Sequence, residues 1–230
     1  MQTIYQNALS DTMYYRNFPV LSYLIEYPSF TTTCSVSAAD QINEVYAYAA
    51  ASAENHCRTV LYVQAAGQVK YIPPNGPGPV REYEWTSRYY VTYNQGCFTS
   101  LYTDQYCYMG GAHGNTIRTS DTWDFETGRR VTLSDIFSSD YLSPLIRNDL
   151  FERIEKQIQE RLEKEPGSYF KDYPSLLREH FRPESFYLTP DGLTLYYQQY
   201  DVAPYATGFP EFFFPRSELA EIAPLTDCWS

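Results

Sequence analysis

Three glycines in five residues, Gly110-Gly111-Ala112-His113-Gly114, interrupt two strand-like runs in the middle of this chain. A stretch with so few Cβ atoms takes conformations closed to other residues, so the backbone turns a corner here. Tyr108 leads in and Asn115 leads out. The outgoing run meets a tight turn at Glu126-Thr127-Gly128, and a helix-start signal, Thr132-Leu133-Ser134-Asp135, follows at once. A chain that doubles back on this schedule builds an antiparallel meander.

The flanking segments add helices to that meander. Tyr14 to Phe30 reads as a strand. Ser37, with Asp40 three residues on, marks a helix start. Ile42, Tyr46, Ala49, Ala53, Cys57 and Leu61 recur at helical spacing, which predicts one long amphipathic helix from Ala38 to about Val69. Pro73-Pro74-Asn75-Gly76-Pro77-Gly78-Pro79 ends it in a loop. Trp85 to Tyr93 and Cys97 to Tyr108 form strands joined at Asn94-Gln95-Gly96, and Asn115 to Phe125 is a third. A second long helix runs from Tyr141 to Glu165, with Leu142, Ile146, Leu150, Ile154, Ile158 and Leu162 in a stripe. Tyr173 to Phe181 is a short third helix. Phe186-Thr189 and Leu193-Tyr200 pair about Pro190-Asp191-Gly192, and Glu211 to Phe214 is a last short strand before a helical turn at Ser217. The order predicts an α+β fold of antiparallel sheets, each packed against a long helix. Two domains are expected, 1–105 and 106–230.

Composition narrows the chemistry. At 43% hydrophobic residues the 230-residue chain can bury a core without metals or staples. Its 24 tyrosines suit half-buried strands and wet binding surfaces alike. A net charge of −11 disfavours nucleic acid, which needs Lys and Arg for its phosphates. From Pro183 to Ser230 seven acids face one base, Arg216, a field that attracts a basic partner. No apolar run reaches the ~20 residues of a membrane span, and no basic-then-apolar leader opens the sequence. The chain is therefore expected to work where it is made, or to have lost a leader. The five cysteines, Cys34, Cys57, Cys97, Cys107 and Cys228, are an odd and irregular set, read as buried reduced thiols. Cys97 and Cys107 lie ten residues apart on one strand, ~33 Å, too far to bridge each other.

His113 is the natural candidate for chemistry, since a histidine in a glycine corner can be a base, a ligand or a hydrogen-bonding cap. Asp121, Asp124 and Glu126 are close in sequence, but Asp121 and Asp124 have opposite strand parity and so point to opposite faces; Asp124 with Gly128 builds a turn more simply. No phosphate loop, nucleophile elbow or metal-ligand spacing is found, and no cofactor or metal is assigned. The loop from Tyr200 to Glu211 is the best binding candidate. It offers Asp201, Tyr205 and Glu211, and Pro204 and Pro210 stiffen it, which lowers the entropy lost on binding.

Several motifs carry a resemblance. Tyr108-Met-Gly-Gly-Ala-His-Gly-Asn115, Asp124-Phe-Glu-Thr-Gly128, Leu133-Ser-Asp-Ile-Phe137 and Phe186-Tyr-Leu-Thr-Pro-Asp-Gly-Leu193 resemble the C-terminal domain of RsiV-like proteins. So do Tyr197-Gln-Gln-Tyr-Asp-Val-Ala-Pro-Tyr205 and Gly208-Phe-Pro-Glu211. Phe18-Pro-Val20 and Ile42-Asn43 look like the preceding domain, which also accompanies the catalytic domain of the deacetylase PdaC. In that family the two domains form the extracellular, lysozyme-binding sensor of an anti-sigma factor. The resemblance implies an extracellular or envelope recognition module. The leading expectation is non-catalytic binding of a basic protein such as lysozyme, or of an envelope glycan. Gly110, Gly111, His113, Tyr200, Asp201, Pro204, Tyr205 and Glu211 are its candidate contacts. The alternative is an enzyme acting on cell-wall glycan with His113 and a nearby carboxylate.

Overall fold

The computed structural model describes residues 1–70, 81–137 and 144–222. The expected proline-rich loop, Leu142 and Cys228 lie outside them.

The first half of the chain builds a six-stranded sheet in sequence order: β1 (Thr3–Tyr15), β2 (Phe18–Thr31), β3 (Tyr83–Gln95), β4 (Phe98–Tyr108), β5 (Asn115–Asp124) and β6 (Arg129–Arg130). The single strand expected at Tyr14–Phe30 is instead a long hairpin. Arg16 (φ 48°) and Asn17 (φ 70°) form its two-residue turn in the left-handed region, the backbone that suits a tight hairpin. β1 is an edge strand with few buried side chains, so its hydrophobic signal is weak. The fold is α+β as expected, but this sheet is not wholly antiparallel. β2 runs parallel to β3, with Leu21 opposite Tyr83 and Ile25 opposite Ser87. A parallel pair needs a crossover, and the first long helix supplies it.

That helix is α1 (Val36–His56), a π-helical turn (Cys57–Leu61) and α2 (Tyr62–Val69). Its cap is Ser35, two residues before the expected Ser37, and the Ser35 hydroxyl accepts from the Ala38 amide. In the π turn the Tyr62 amide donates to the Cys57 carbonyl, five residues back, while the Thr59 hydroxyl donates to the Asn55 carbonyl at 2.7 Å. Asn43 clips the helix to the sheet: its side chain accepts from the Phe30 amide at 2.7 Å and donates to the Phe30 carbonyl at 2.9 Å.

The reading of all five cysteines as reduced thiols is corrected here. Cys34, just before α1, is disulfide-bonded to Cys97 at the β3–β4 turn; Cys57 and Cys107 are free. Gln2, 3% exposed, ties β1 to the same turn. Its amide donates to Asn94 Oδ1 at 3.0 Å, and its Oε1 accepts from Thr99 Oγ1 at 2.7 Å.

The second half forms a separate layer. α3 (Leu133–Ile136) opens with the expected signal, a capping box between Thr132 and Asp135. Then come α4 (Pro144–Lys164), α5 (Tyr173–Glu179), β7 (Phe186–Leu188), β8 (Gly192–Tyr196), β9 (Glu211–Pro215) and α6 (Arg216–Ile222), with the order β7-β8-β9 in an antiparallel sheet. Leu150, Ile154 and Ile158 of the α4 stripe are buried against Leu195, Phe212 and Phe214; Ile146 and Leu162 are partly buried.

The two sheets meet face to face. The Leu188 amide donates to the Ser100 hydroxyl at 2.9 Å, Ser100 bonds Thr122 at 2.8 Å, and Tyr102 packs on Tyr187. The expected division at residue 105 falls inside β4, and the large sheet continues to Arg130.

Candidate functional site

The glycine corner and the Tyr200–Glu211 loop, some ninety residues apart in sequence, meet in space. β4 delivers the corner at Tyr108, and Gly110 (φ 94°) and Gly111 (φ 102°) turn it. Both are exposed, and the Tyr108 hydroxyl donates to the Gly111 carbonyl at 3.0 Å. Gly114 is needed for a different reason: a Cβ there would sit 2.3 Å from the Tyr106 ring and 2.7 Å from the Cys107 carbonyl. Gly114→Ala is expected to cost about 1–3 kcal/mol, because the ring and the backbone oxygen cannot both move aside. Equilibrium denaturation measures this; a cost below about 0.5 kcal/mol would mean that the corner relaxes freely.

His113 comes out of this corner and stacks on Tyr205, with centroids 4.5 Å apart and planes 23° from parallel. Tyr205 in turn packs against Tyr200 at 5.7 Å and 31°. Tyr200 is 50% exposed and held in the left-handed region (φ 69°), a conformation that bulky residues adopt only where the surroundings require it. The His113 Nδ1 lies 2.9 Å from the Gly114 carbonyl. No carboxylate among the described residues comes within ion-pair distance of the imidazole. Three rings thus form a continuous step at the surface.

The acids expected beside that step are paired within the protein. Asp201 accepts from the Gln198 amide at 2.9 Å and lies 3.7 Å from His180 and 3.9 Å from Arg182. Glu211 is paired with Arg118. Pro204 precedes the 3-10 turn Tyr205–Thr207 that presents Tyr205. The structure therefore brings the three aromatic candidates onto one surface, while Asp201 and Glu211 are engaged by other residues of the protein.

No sequence signal marks Arg118, yet it joins the two sheets. It is 8% exposed. Its Nε and Nη2 donate to the two Asp104 oxygens at 2.7 and 2.8 Å, and Nη1 donates to Glu211. The guanidinium lies between the Tyr102 ring at 3.9 Å and the Phe209 ring at 4.3 Å. Burial works against its charge; Asp104 and Glu211 outweigh that, and its pKa stands above the ordinary value. Gln198 completes the joint. Its Oε1 accepts from the Arg118 amide at 3.0 Å and its Nε2 donates to the Arg118 carbonyl at 2.7 Å, covering an otherwise open strand edge.

A second polar group lies under α1. The Trp123 indole donates to the Tyr46 hydroxyl at 2.8 Å, Tyr46 donates to Asp121 Oδ2 at 3.1 Å, and Arg130 pairs with Asp121 Oδ1 at 2.8 Å. Burial raises the Asp121 pKa, with Arg130 and Tyr46 opposing. Asp124 serves the turn, as its sequence context suggests, accepting from the Glu126 amide and the Thr127 hydroxyl. No group of three or more His, Cys, Asp and Glu side chains converges as metal ligands among the described residues. No described helix is long and apolar enough to cross a membrane.

The two-sheet α+β architecture is shared by known proteins. Residues 134–217 match the family model described as a protein of unknown function, DUF3298. Residues 16–116 match the model described as deacetylase PdaC. A DUF3298 family member from Bacteroides fragilis NCTC 9343 superposes with a TM-score of 0.70 at 20% identity, covering 98% of this chain and 94% of its own. A DUF3298 family protein from Pseudomonas aeruginosa PAO1 superposes with a TM-score of 0.58 at 16% identity, covering 98% and 95%. At such identities the likeness is one of fold. No curated protein matches the chain.

Proposed function

We propose that this chain is a non-catalytic recognition module of the cell envelope, and that its ligand is a glycan held on the His113–Tyr205–Tyr200 step. The observation that carries the reading is the continuity of the three rings at the surface while the neighbouring acids are spent on internal partners. Flat amphipathic rings offer an apolar face and a polar rim, which suits the two-sided chemistry of a sugar. Large aromatics ordered in advance lose little entropy on binding. The envelope setting draws support from the Cys34–Cys97 disulfide, since such bonds persist mainly in oxidising compartments. The RsiV-like motifs of the C-terminal region point the same way. The alternative enzyme reading lacks support, since among the described residues no carboxylate pairs with His113.

The charge of −11 favours a second reading, a basic protein partner such as lysozyme. Calorimetric titration separates the two. Chitooligosaccharides and muropeptides are expected to bind with little salt dependence, and Tyr205→Ala to weaken them about tenfold or more, as loss of a central aromatic contact does. Tight, salt-sensitive binding of lysozyme alone would transfer the function to the second reading. Absence of heat with every one of these probes would remove both.

A further inference from the structure

Under α1 the core of the large sheet is split. Phe30, Ile42, Tyr46, Leu101 and Trp123 belong to one buried cluster, and Leu21, Tyr23, Cys57, Leu61 and Tyr83 to another. Between them the helix carries Ala49, Ala50 and Ala53, the strands carry Ser87, Thr103 and Gln105, and a cleft of about 690 Å³ remains. A space of that size is typical of small-molecule sites. It exists because short side chains roof it where larger ones fill the helix–sheet gap on either side. Val131, Leu133 and Phe186 close its far wall.

The floor carries polar side chains. Ser87 is 4% exposed and lines the cleft beside the half-buried Thr103 and Gln105. Asp121 stands at one end of the floor, between Tyr46 and Arg130. The cleft's charged residues are Glu26, Asp121, Glu184 and Arg130, with Arg88 3.8 Å from Glu26 at the margin. Carboxylates outnumber cations, so the complementary charge is positive. The Arg130 side chain is 57% exposed and would give up its 4.9 Å contact with the Trp123 ring on leaving, while Asp121, 21% exposed, requires a cation in its place.

We propose that this cleft binds an elongated amphiphile, its aliphatic body along the alanines of α1 and its ammonium group at Asp121, in the place that the Arg130 guanidinium holds here. This site is separate from the aromatic step and stands or falls independently of it.

Octylamine, octanol and octanoate are the probes, followed by amide chemical shifts and thermal melting on the whole chain. Octylamine is expected to saturate, to raise the melting temperature, and to shift the amides of Ala53, Ser87 and Thr119; octanoate should do neither. Asp121→Asn should weaken octylamine at least tenfold and leave octanol unchanged. Ala49→Leu, at an exposed helix position, should fill the cleft and abolish binding while the protein still folds, so the test survives if Asp121→Asn does not fold. Octanoate binding as tightly as octylamine, undiminished binding to Ala49→Leu, or no saturable binding of octylamine would each overturn the proposal.

Discussion

Arg118→Ala is expected to lower the stability of the protein by about 3–5 kcal/mol, the usual cost of leaving a buried charge without its partner. Three losses combine. Asp104 keeps its position on β4 but loses both charge-assisted hydrogen bonds. Tyr102 and Phe209 lose the planar cation between them. Glu211 is left at the junction of the two sheets; it is 41% exposed, so water rescues it in part and Glu211→Ala alone should cost below about 1 kcal/mol. Arg118→Lys should not restore the loss, because an ammonium cannot match the two-pronged geometry or stack between rings. Denaturant titration of the four proteins is the measurement. If Arg118→Ala changed the midpoint by less than Glu211→Ala does, the guanidinium would not be what joins the sheets.

The disulfide provides the second large effect. Cys34 and Cys97 are separated by 63 residues, and closing a loop of that length in the unfolded chain is worth roughly 4 kcal/mol in the chain-entropy view. For a chain of this size that corresponds to a fall of about 8–16 °C in melting temperature. Cys34→Ser, Cys97→Ser and reduced wild-type protein should fall together, since each removes the same link. Cys57→Ser should differ from them, as it leaves the link in place and disturbs only a packed thiol. Reduced protein that melted with the oxidised form would show that the α1 entry and the β3–β4 turn hold together without the bond. Gln2 is the candidate for that, since its Nε2 reaches the Gly96 carbonyl at 3.2 Å and Thr32 Oγ1 at 3.4 Å while its backbone and Oε1 bond Asn94 and Thr99.

Much of the fold was legible because its signals are local. The glycine corner, the Asp124–Gly128 turn, the Thr132–Asp135 box and the α4 stripe each announce themselves within a few residues, and each sits where expected. What was not legible depends on contacts between distant segments or on missing signals. β1 hides because an edge strand buries little, so its apolar residues do not alternate cleanly. The parallel β2–β3 pairing and the Cys34–Cys97 bond join segments about sixty residues apart. The odd cysteine count argued against pairing because it says nothing about which two sulfurs meet. At the candidate site, His113 and Tyr205 were each picked out by residue type and backbone context, but their stacking is a product of the tertiary fold. Asp201 and Glu211 were read as ligands because acids in a loop look available; their partners, Gln198, His180, Arg182 and Arg118, come from the surrounding layer. The sequence around Asp121 shows only its neighbours along β5, whereas its surroundings come from α1 and the strand that carries Arg130.

The π turn at Cys57–Leu61 has a consequence for how this crossover tolerates change. A helix that spans five residues per hydrogen bond for one turn carries one residue more than a regular helix over the same rise. Deleting a single residue there would let the ladder revert to ordinary spacing with the downstream residues still in phase, whereas regular helix with every residue kept would turn everything downstream by about 100°. Leu61, Ala65 and Val69, now packed against the sheet, would swing toward water. The extra residue therefore acts as a phase adjuster, bringing the far end of a long rod back into step with a twisting floor. A one-residue change in length is therefore absorbed at this turn without moving the far end of the rod.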